Sequence, residues 1–264
     1  MLKIHSIVFR FENMTKTIPT KLPELTISFW IIKICATTLG ETGGDLLAQT
    51  MKVGYVTSSI IFLSFFFLAF FTQINAKKYN PLIYWFVIVT TSTAGTTISD
   101  MMDRTMELGY AKGSLILLSL LVIILTAWKL TEKTISVSAI KSVRAETFYW
   151  AAILFSNTLG TALGDFLSDD SGLGFAGSAA LVGGLLLLTI LAYYFTRLSR
   201  VVLFWLAFVL TRPFGATFGD FLTKPIEKGG LEMGTAISSA ILGVIIMILI
   251  FREMKSLQMK SAEA

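Results

Sequence analysis

One four-residue pattern recurs along the chain with unchanged internal spacing: Trp, nine residues, Gly, four residues, Asp, eight residues, Gly. The four copies are Trp30–Gly40–Asp45–Gly54, Trp85–Gly95–Asp100–Gly109, Trp150–Gly160–Asp165–Gly174 and Trp205–Gly215–Asp220–Gly229. Four of the five tryptophans of the chain belong to the pattern, so chance does not explain it. The chain is therefore built from four copies of one structural unit.

Each copy of the pattern covers two apolar segments. These eight segments lie at roughly 26–47, 55–74, 82–101, 114–130, 147–167, 175–195, 200–221 and 235–251. Each is close to the ~20 residues that cross a bilayer as a helix. Hydrophobic residues make up 54% of the chain and charged residues 15%, whereas soluble domains carry about 25% charged residues. The predicted fold class is all-α, a polytopic membrane protein with eight transmembrane helices.

The segments divide the chain into repeats and connections. We predict a cytoplasmic arm at 1–25, repeats at 26–80 and 81–130, a central cytoplasmic loop at 131–146, repeats at 147–199 and 200–252, and a cytoplasmic tail at 253–264. An even number of spans per repeat leaves all four repeats in the same orientation. We therefore expect four parallel helical hairpins around a pseudo-symmetric axis along the membrane normal.

The charged residues sort by side of the membrane. Most of the 22 lysines and arginines lie on the side of the two termini, for example Lys77, Lys129, Arg144 and Arg197. The positive-inside rule then places both termini in the cytoplasm, and we predict the bacterial inner membrane as the location. The acidic residues favour the other side, where they would form a negative mouth that attracts cations.

The aspartate of each repeat is the candidate functional residue. It follows the tryptophan by 15 residues, about 22 Å along a helix, which places it within the outer half of the bilayer. A charge there costs roughly 3 kcal/mol on insertion scales, so four of them point to a function. The alternative is that each aspartate caps the next segment at the interface.

We expect the four aspartates to converge near the axis as an oxygen-lined cation site. The predicted ligands are Asp45, Asp100, Asp165 and Asp220, completed by Glu41, Thr42, Thr97 and Thr217. Such hard oxygen ligands suit Mg²⁺, Ca²⁺, Mn²⁺, alkali ions or protons. Apart from such a bound cation, no cofactor is expected.

Two basic residues lie within predicted spans. Arg212 precedes Asp220 by eight residues and is followed by Pro213. It can act as a buried counter-ion, gate the central path, or extend to the interface. Lys33 lies one turn after Trp30, where a lysine is expected to extend to the cytoplasmic interface.

The remaining repeated residues have structural interpretations. The tryptophans Trp30, Trp85, Trp150 and Trp205 are predicted to anchor the helices at the membrane interface or to contribute to packing. The glycines Gly40, Gly95, Gly160 and Gly215 lie in stretches of small residues that allow helices to approach closely. The glycines that follow each aspartate by nine residues are predicted to form the turns into the second helices.

The repeat resembles a family of bacterial membrane proteins of unknown function. Those proteins contain four tandem repeats, each with two spanning segments and a recurrent tryptophan, and the resemblance covers residues ~25–252. It implies an eight-span membrane protein and no defined activity, although some members carry a label for membrane-anchored regulation of a polysaccharide-degrading enzyme. The stretch 41–45 also resembles the Glu-x-Gly-Asp signature of calcium/manganese exchangers. It departs from that signature by an extra glycine and the missing Lys-Thr or Lys-Ser tail, and repeats two to four lack the glutamate.

Three functions remain open from the sequence. The first is a transporter or channel-like pathway for a small cation. The second is a non-transporting regulator or scaffold, with the arm at 1–25 as its partner site. The third is an intramembrane enzyme. It is disfavoured because the chain contains a single histidine, His5, and a single cysteine, Cys35, and this argues against histidine-based catalysis. The expected partners are the lipid bilayer and a cation, with no nucleic acid and an undefined oligomeric state.

Overall fold

The computed structural model describes residues 21–140 and 142–262, and the regular elements in these ranges are helices. The long helices are α1 Ile27–Asp45, α2 Tyr55–Asn75, α3 Pro81–Asp100, α4 Tyr110–Glu132, α5 Val143–Asp165, α6 Gly174–Phe195, α7 Arg200–Thr223 and α8 Thr235–Ala262. Five short turns accompany them: three π-helical (Leu46–Thr50, Met101–Thr105 and Phe166–Asp170) and two 3₁₀ (Val137–Ala139 and Ile226–Lys228). The predicted all-α class with eight long helices is confirmed for the part of the chain that the structure describes.

Six of these helices are long and apolar enough to cross a membrane: α2, α3, α4, α6, α7 and α8. The other two, α1 and α5, have comparable lengths of 19 and 23 residues. They carry more charged and polar side chains, such as Lys33 and Glu41 in α1, and these side chains are buried. The chain is a membrane-type helical protein whose polar residues face inward.

The helices form two concentric rings. In the inner ring, α1 and α5 each pack against both α3 and α7. In the outer ring, α2 packs on α3, α4 on α5, α6 on α7, and α8 on α1. Each outer helix therefore covers the first helix of the following repeat, and α8 closes the circle onto repeat one. The two helices of one repeat scarcely touch, so the predicted hairpins are open and interlocked.

Burial follows this arrangement. In the most apolar stretch of α3, 72% of the residues are buried, whereas the corresponding fraction in α2 is 22%. The exposed side chains of the outer helices are large and apolar, for example Leu68, Ile123 and Leu188. Such a surface suits the hydrocarbon region of a bilayer.

Local signals define the helix ends. Gly54 and Gly109 stand directly before α2 and α4 with φ of 83° and 74°, values that glycine adopts without steric cost. Gly174, the first residue of α6, also has positive φ, so the predicted turns into the second helices are confirmed in repeats one to three. In repeat four, Gly229 ends the 3₁₀ turn, and Gly234, with φ of 76°, stands directly before α8. The Ser142 side chain accepts a hydrogen bond from the backbone N–H of Ala145 at the start of α5, as N-capping serines do.

Two helices extend beyond the apolar segments seen in the sequence. Helix α5 begins at Val143, inside the predicted loop 131–146, and Glu146 in its first turn is buried and paired with Lys21 at 3.2 Å. Helix α8 continues to Ala262 through the predicted tail, and Glu253 accepts hydrogen bonds from Tyr79 and Trp85. In both helices, a glutamate beyond the apolar segment makes polar contacts with other parts of the chain. Residues 1–20 of the predicted arm lie outside the described residues.

Candidate functional site

The inner helices line the axis with rows of residues spaced four apart. A row of this spacing is one of the two ridges that helices use for packing. The rows are Phe29, Lys33, Thr37, Glu41 and Asp45 in α1; Tyr84, Ile88, Ser92, Thr96 and Asp100 in α3; Tyr149, Ile153, Asn157, Thr161 and Asp165 in α5; and Phe204, Phe208, Arg212, Ala216 and Asp220 in α7. All except the half-buried Phe204 are buried. Equivalent residues form five layers, which we name the aromatic, lysine, arginine, glutamate and aspartate layers, in that order.

The aromatic layer joins the repeats through the tryptophans. Each ring of the layer packs on the tryptophan of the next repeat: Phe29 on Trp85 at 5.4 Å, Tyr84 on Trp150 at 5.4 Å, Tyr149 on Trp205 at 6.4 Å and Phe204 on Trp30 at 6.0 Å. These contacts close a belt around the axis. Trp85 and Trp150 are fully buried, so of the two roles expected from the sequence they fit packing and not a lipid-facing anchor.

The repeat glycines allow the inner helices to touch. Each glycine lies against the arginine-layer residue of the next inner helix: Gly40 against Ser92, Gly95 against Asn157, Gly160 against Arg212 and Gly215 against Thr37. A Cβ atom on Gly40 would stand 2.8 Å from the backbone carbonyl carbon of Ser92. The same atom on Gly215 would stand 2.8 Å from that of Thr37. Any side chain at these positions would push the helices apart.

The Arg212 guanidinium crosses the axis at the arginine layer. It is fully buried, forms an ion pair with Glu41 at 3.1 Å, and donates to the Ser92 carbonyl at 3.3 Å and the Thr161 hydroxyl at 2.6 Å. One side chain of α7 thus reaches the other three inner helices. Its partner is Glu41 of repeat one, and Asp220 has a different counter-ion.

The glutamate layer surrounds the same ion pair with hydroxyls. Glu41 accepts hydrogen bonds from Thr96 at 3.2 Å and Thr161 at 3.4 Å, both at its own position in repeats two and three. The three predicted hydroxyl ligands face elsewhere: Thr42 accepts from Ser239 of α8, and Thr97 and Thr217 donate to carbonyls of their own helices. They follow the axial row by one residue, a rotation of about 100° around the helix.

The aspartate layer contains two pairs of buried carboxylates. Arg104 lies 3.0 Å from Asp100 and 3.4 Å from Asp165. Lys224 lies 2.7 Å from Asp45 and 3.2 Å from Asp220. Each cation therefore joins the aspartate of its own repeat to that of the next repeat. The structure brings the four aspartates into one layer and arranges them around these two cations.

Lys224 is firmly charged in this arrangement. Burial by itself would lower the pKa of Lys224, but Asp220 and Asp45 outweigh this effect and raise the pKa above its usual range. Its side chain is 21% exposed and that of Arg104 is 34% exposed. Both side chains therefore enter the aspartate layer from the solvent-accessible end of the inner ring, which we name the open end.

Three carboxylates approach one another closely enough to hold a metal ion. Glu41, Asp45 and Asp220 each offer one oxygen, and these oxygens lie within 4.8 Å of one another. Such a set matches the carboxylate oxygens that Ca²⁺, Mg²⁺ and Mn²⁺ prefer. Asp100 and Asp165 lie in the neighbouring pair around Arg104.

The backbone widens directly after three of the aspartates. Asp45, Asp100 and Asp165 each end an α-helix immediately before a π-helical turn. These turns are closed by hydrogen bonds such as Met51 N–H to the Leu46 carbonyl at 2.8 Å. Repeat four differs, because α7 continues past Asp220 to Thr223. Single π-helical turns occur frequently at functional sites.

Sequence reasoning missed several axial residues. Lys33 was expected at the membrane interface, but its side chain is fully buried and its amino group lacks a hydrogen-bond acceptor. Thr96, Thr161 and the tyrosines of the aromatic layer were not considered as site residues. Counting backwards in steps of four from each aspartate would have found all of them, because that row faces the axis.

The concentric rings and the charged axis define a polytopic helical membrane protein with internal fourfold pseudosymmetry. The family model described as Repeat of Unknown Function (DUF347) matches residues 28–79, 83–134, 148–199 and 203–256. The chain belongs to this family, which confirms the resemblance seen in the sequence. No curated protein and no solved structure matches the chain.

Proposed function

We propose that this protein transports a small cation across the bacterial inner membrane by way of the axial carboxylates. The observation that carries the proposal is the charge balance of the glutamate and aspartate layers. Glu41 and the four aspartates supply five carboxylates, whereas Arg104, Arg212 and Lys224 supply three cations. Two of the cations are each shared by two aspartates, so full ionisation leaves an excess of two negative charges.

An uncompensated excess of buried negative charge is unfavourable, so the two layers favour the uptake of positive charge. One divalent cation or two protons would balance the excess. The oxygens of Glu41, Asp45 and Asp220 supply a ligand set for the metal, and closely spaced carboxylates bind protons readily because each disfavours the ionisation of the next. Both kinds of cation would compete for the same side chains.

Lys224 and Arg104 act as tethered counter-ions in this proposal. The Lys224 amino group lies between Asp45 and Asp220 at the open end of the ring. An arriving cation would displace it from the carboxylates, and the lysine would return when the cation leaves. A resident counter-ion of this kind keeps the unloaded site neutral enough to stay folded.

The Arg212–Glu41 pair favours a transporter that alternates between two states and argues against a continuously open channel. The guanidinium spans the axis and bonds to all three other inner helices. Passage of an ion requires this network to open, which makes Arg212 the gate of the proposed pathway. By the positive-inside rule both termini are cytoplasmic, so the aspartate layer opens to the outside.

We expect Asp45→Asn and Asp220→Asn each to lower cation transport strongly. Loss of a carboxylate contact worth about 1.4 kcal/mol weakens ion affinity about tenfold. The measurement is uptake of Mn²⁺, Ca²⁺ or Mg²⁺, and of protons, into liposomes containing the purified protein. Asp170→Asn is the matched control, because Asp170 lies near the same end and is exposed.

Two results would contradict the proposal. Transport by the Asp45 and Asp220 variants at the wild-type rate would exclude these carboxylates from the pathway. A wild-type protein that moves none of these ions, and whose melting temperature is unaffected by them, would instead favour the regulator or scaffold. Ligands that bind the native state raise its melting temperature by mass action.

A further inference from the structure

Lys33 is a lysine on the axial row of α1 whose role neither the proposed cation site nor helix packing explains. Its side chain is fully buried, and its amino group has no hydrogen-bond acceptor. The amino group lies 4.2 Å from the centre of the Phe208 ring, a contact with the face of an aromatic system. The other members of the lysine layer are Ile88, Ile153 and Phe208, all of them fully buried and apolar. Packing by itself does not require a lysine here, because two of the repeats contain isoleucine at this position.

Groups with exchangeable protons occupy every layer of the axis. The aromatic layer contains Tyr84 and Tyr149, whose hydroxyls are hydrogen-bonded at 2.7 Å. The arginine layer contains hydroxyls, an amide and Arg212, and the glutamate layer contains Glu41 with two threonines. In the lysine layer, Lys33 alone carries a group of this kind. A proton that travels along the axis must therefore pass through Lys33.

The surroundings of Lys33 favour a proton over an anion as its ligand. A bound anion needs several N–H or O–H donors, and the lysine layer supplies none besides Lys33 itself. An unpaired ammonium in an apolar layer is much less favourable than a neutral amine. The amine can take up a proton from one side and release it to the other.

The charged groups around Lys33 are few. Arg212 of α7 is a cation that acts on Lys33 from the next layer, and it disfavours a second positive charge there. Helices α3 and α5 contribute Ile88 and Ile153 to the layer. Helix α8, which packs on α1, carries Glu253, but its carboxylate accepts hydrogen bonds from Tyr79 and Trp85 next to the aromatic layer. Glu41 lies two turns further along α1, beyond the arginine layer.

We propose that Lys33 is the proton-exchange site of the axial pathway, and that protons are the ions that move past the aromatic end of the ring. The proposal rests on the proposed transport function and specifies its coupling ion. In each passage the Lys33 ammonium releases one proton toward the arginine layer and becomes an amine. The amine then takes up one proton from the side of the Tyr84–Tyr149 hydroxyls, so Lys33 returns to its starting state.

The test compares proton flux in liposomes that contain a pH-sensitive dye. Lys33→Ile introduces the residue found in repeats two and three, and Lys33→Arg retains a charge that does not dissociate in proteins. We expect both variants to lose at least about tenfold in proton flux, equivalent to about 1.4 kcal/mol in the barrier. Combining Lys33→Ile with Ile153→Lys places the amine elsewhere in the same layer and is expected to restore flux.

Cation binding and stability separate this role from a structural one. We expect Lys33→Ile to melt at the same temperature as the wild type or higher, and to retain the upward shift of melting temperature caused by Mn²⁺ or Ca²⁺. Wild-type proton flux in Lys33→Arg or Lys33→Ile would overturn the proposal. Loss of the cation-induced shift of melting temperature in Lys33→Ile would also overturn it. So would a proton flux that requires chloride, because Lys33 would then bind an anion. A wild type that moves Mn²⁺ or Ca²⁺ but no protons overturns only this proposal, whereas one that moves no ion overturns transport itself.

Discussion

Replacing Arg212 with methionine is expected to destabilise the folded protein by about 3–5 kcal/mol, the usual cost of removing one partner of a buried ion pair. Glu41 would remain buried at 3% exposure and lose its counter-ion. The variant would also lose the hydrogen bonds by which α7 holds the other inner helices. The measurement is the free energy of unfolding in mixed detergent micelles.

The double variant Arg212→Met with Glu41→Gln is the informative control. Replacing both members of a buried pair is often close to neutral, so we expect the double variant to recover most of the stability lost in Arg212→Met. Additive losses would show that the guanidinium stabilises the ring through Thr161 and the backbone carbonyls and not through Glu41. In either case, opening this network is a step that the proposed transport cycle would require.

Replacing Gly40 or Gly215 with alanine is expected to cost about 1–3 kcal/mol each, the range for overpacking a tight interior. The new methyl group would meet the backbone of the next inner helix at 2.8 Å, and a backbone cannot move aside as a side chain can. The double variant should lose the folded state at moderate temperature, because it opens the ring at two of its four inner contacts. Thermal unfolding in detergent measures both effects.

Gly184→Ala and Gly243→Ala are the matched controls. Both glycines lie in outer helices, and a Cβ atom at either position has no neighbour within 4 Å. Alanine has the higher helix propensity by about 1 kcal/mol, so these variants should be as stable as the wild type or more so. Equal losses at inner and outer glycines would refute the close-packing role of the repeat glycine.

Much of the fold follows from the sequence. The constant spacing within the four repeats places equivalent residues at equal depth, so the layers around the axis are a consequence of the repeat. The apolar segments predict the eight helices, and the glycines after each aspartate predict the turns. Hydropathy does not predict the helix ends at Val143 and Ala262, because both helices continue through polar residues such as Glu146 and Glu253, whose partners lie elsewhere in the chain.

The site was predictable in part. The aspartates and Glu41 stand out because charge is rare in apolar segments, and the structure places all five in the inner ring. The hydroxyl partners were assigned one residue too far along, to Thr42, Thr97 and Thr217, because the direction of the axis cannot be read without the neighbouring helices. Thr96 and Thr161 lie on the axial row and contact Glu41 instead.

The amino-acid sequence by itself determines the number of helices and the position of each charged residue along its helix, because these depend on spacing and hydropathy within one segment. Only the tertiary structure decides which groups meet. In the structure each outer helix packs on the next repeat, and Arg212 of the last repeat forms an ion pair with Glu41 of the first. The Lys33 amino group lies in an apolar layer without a hydrogen-bond acceptor. These pairings depend on how the ring closes, since residues distant in the chain become neighbours only when four helices share one axis.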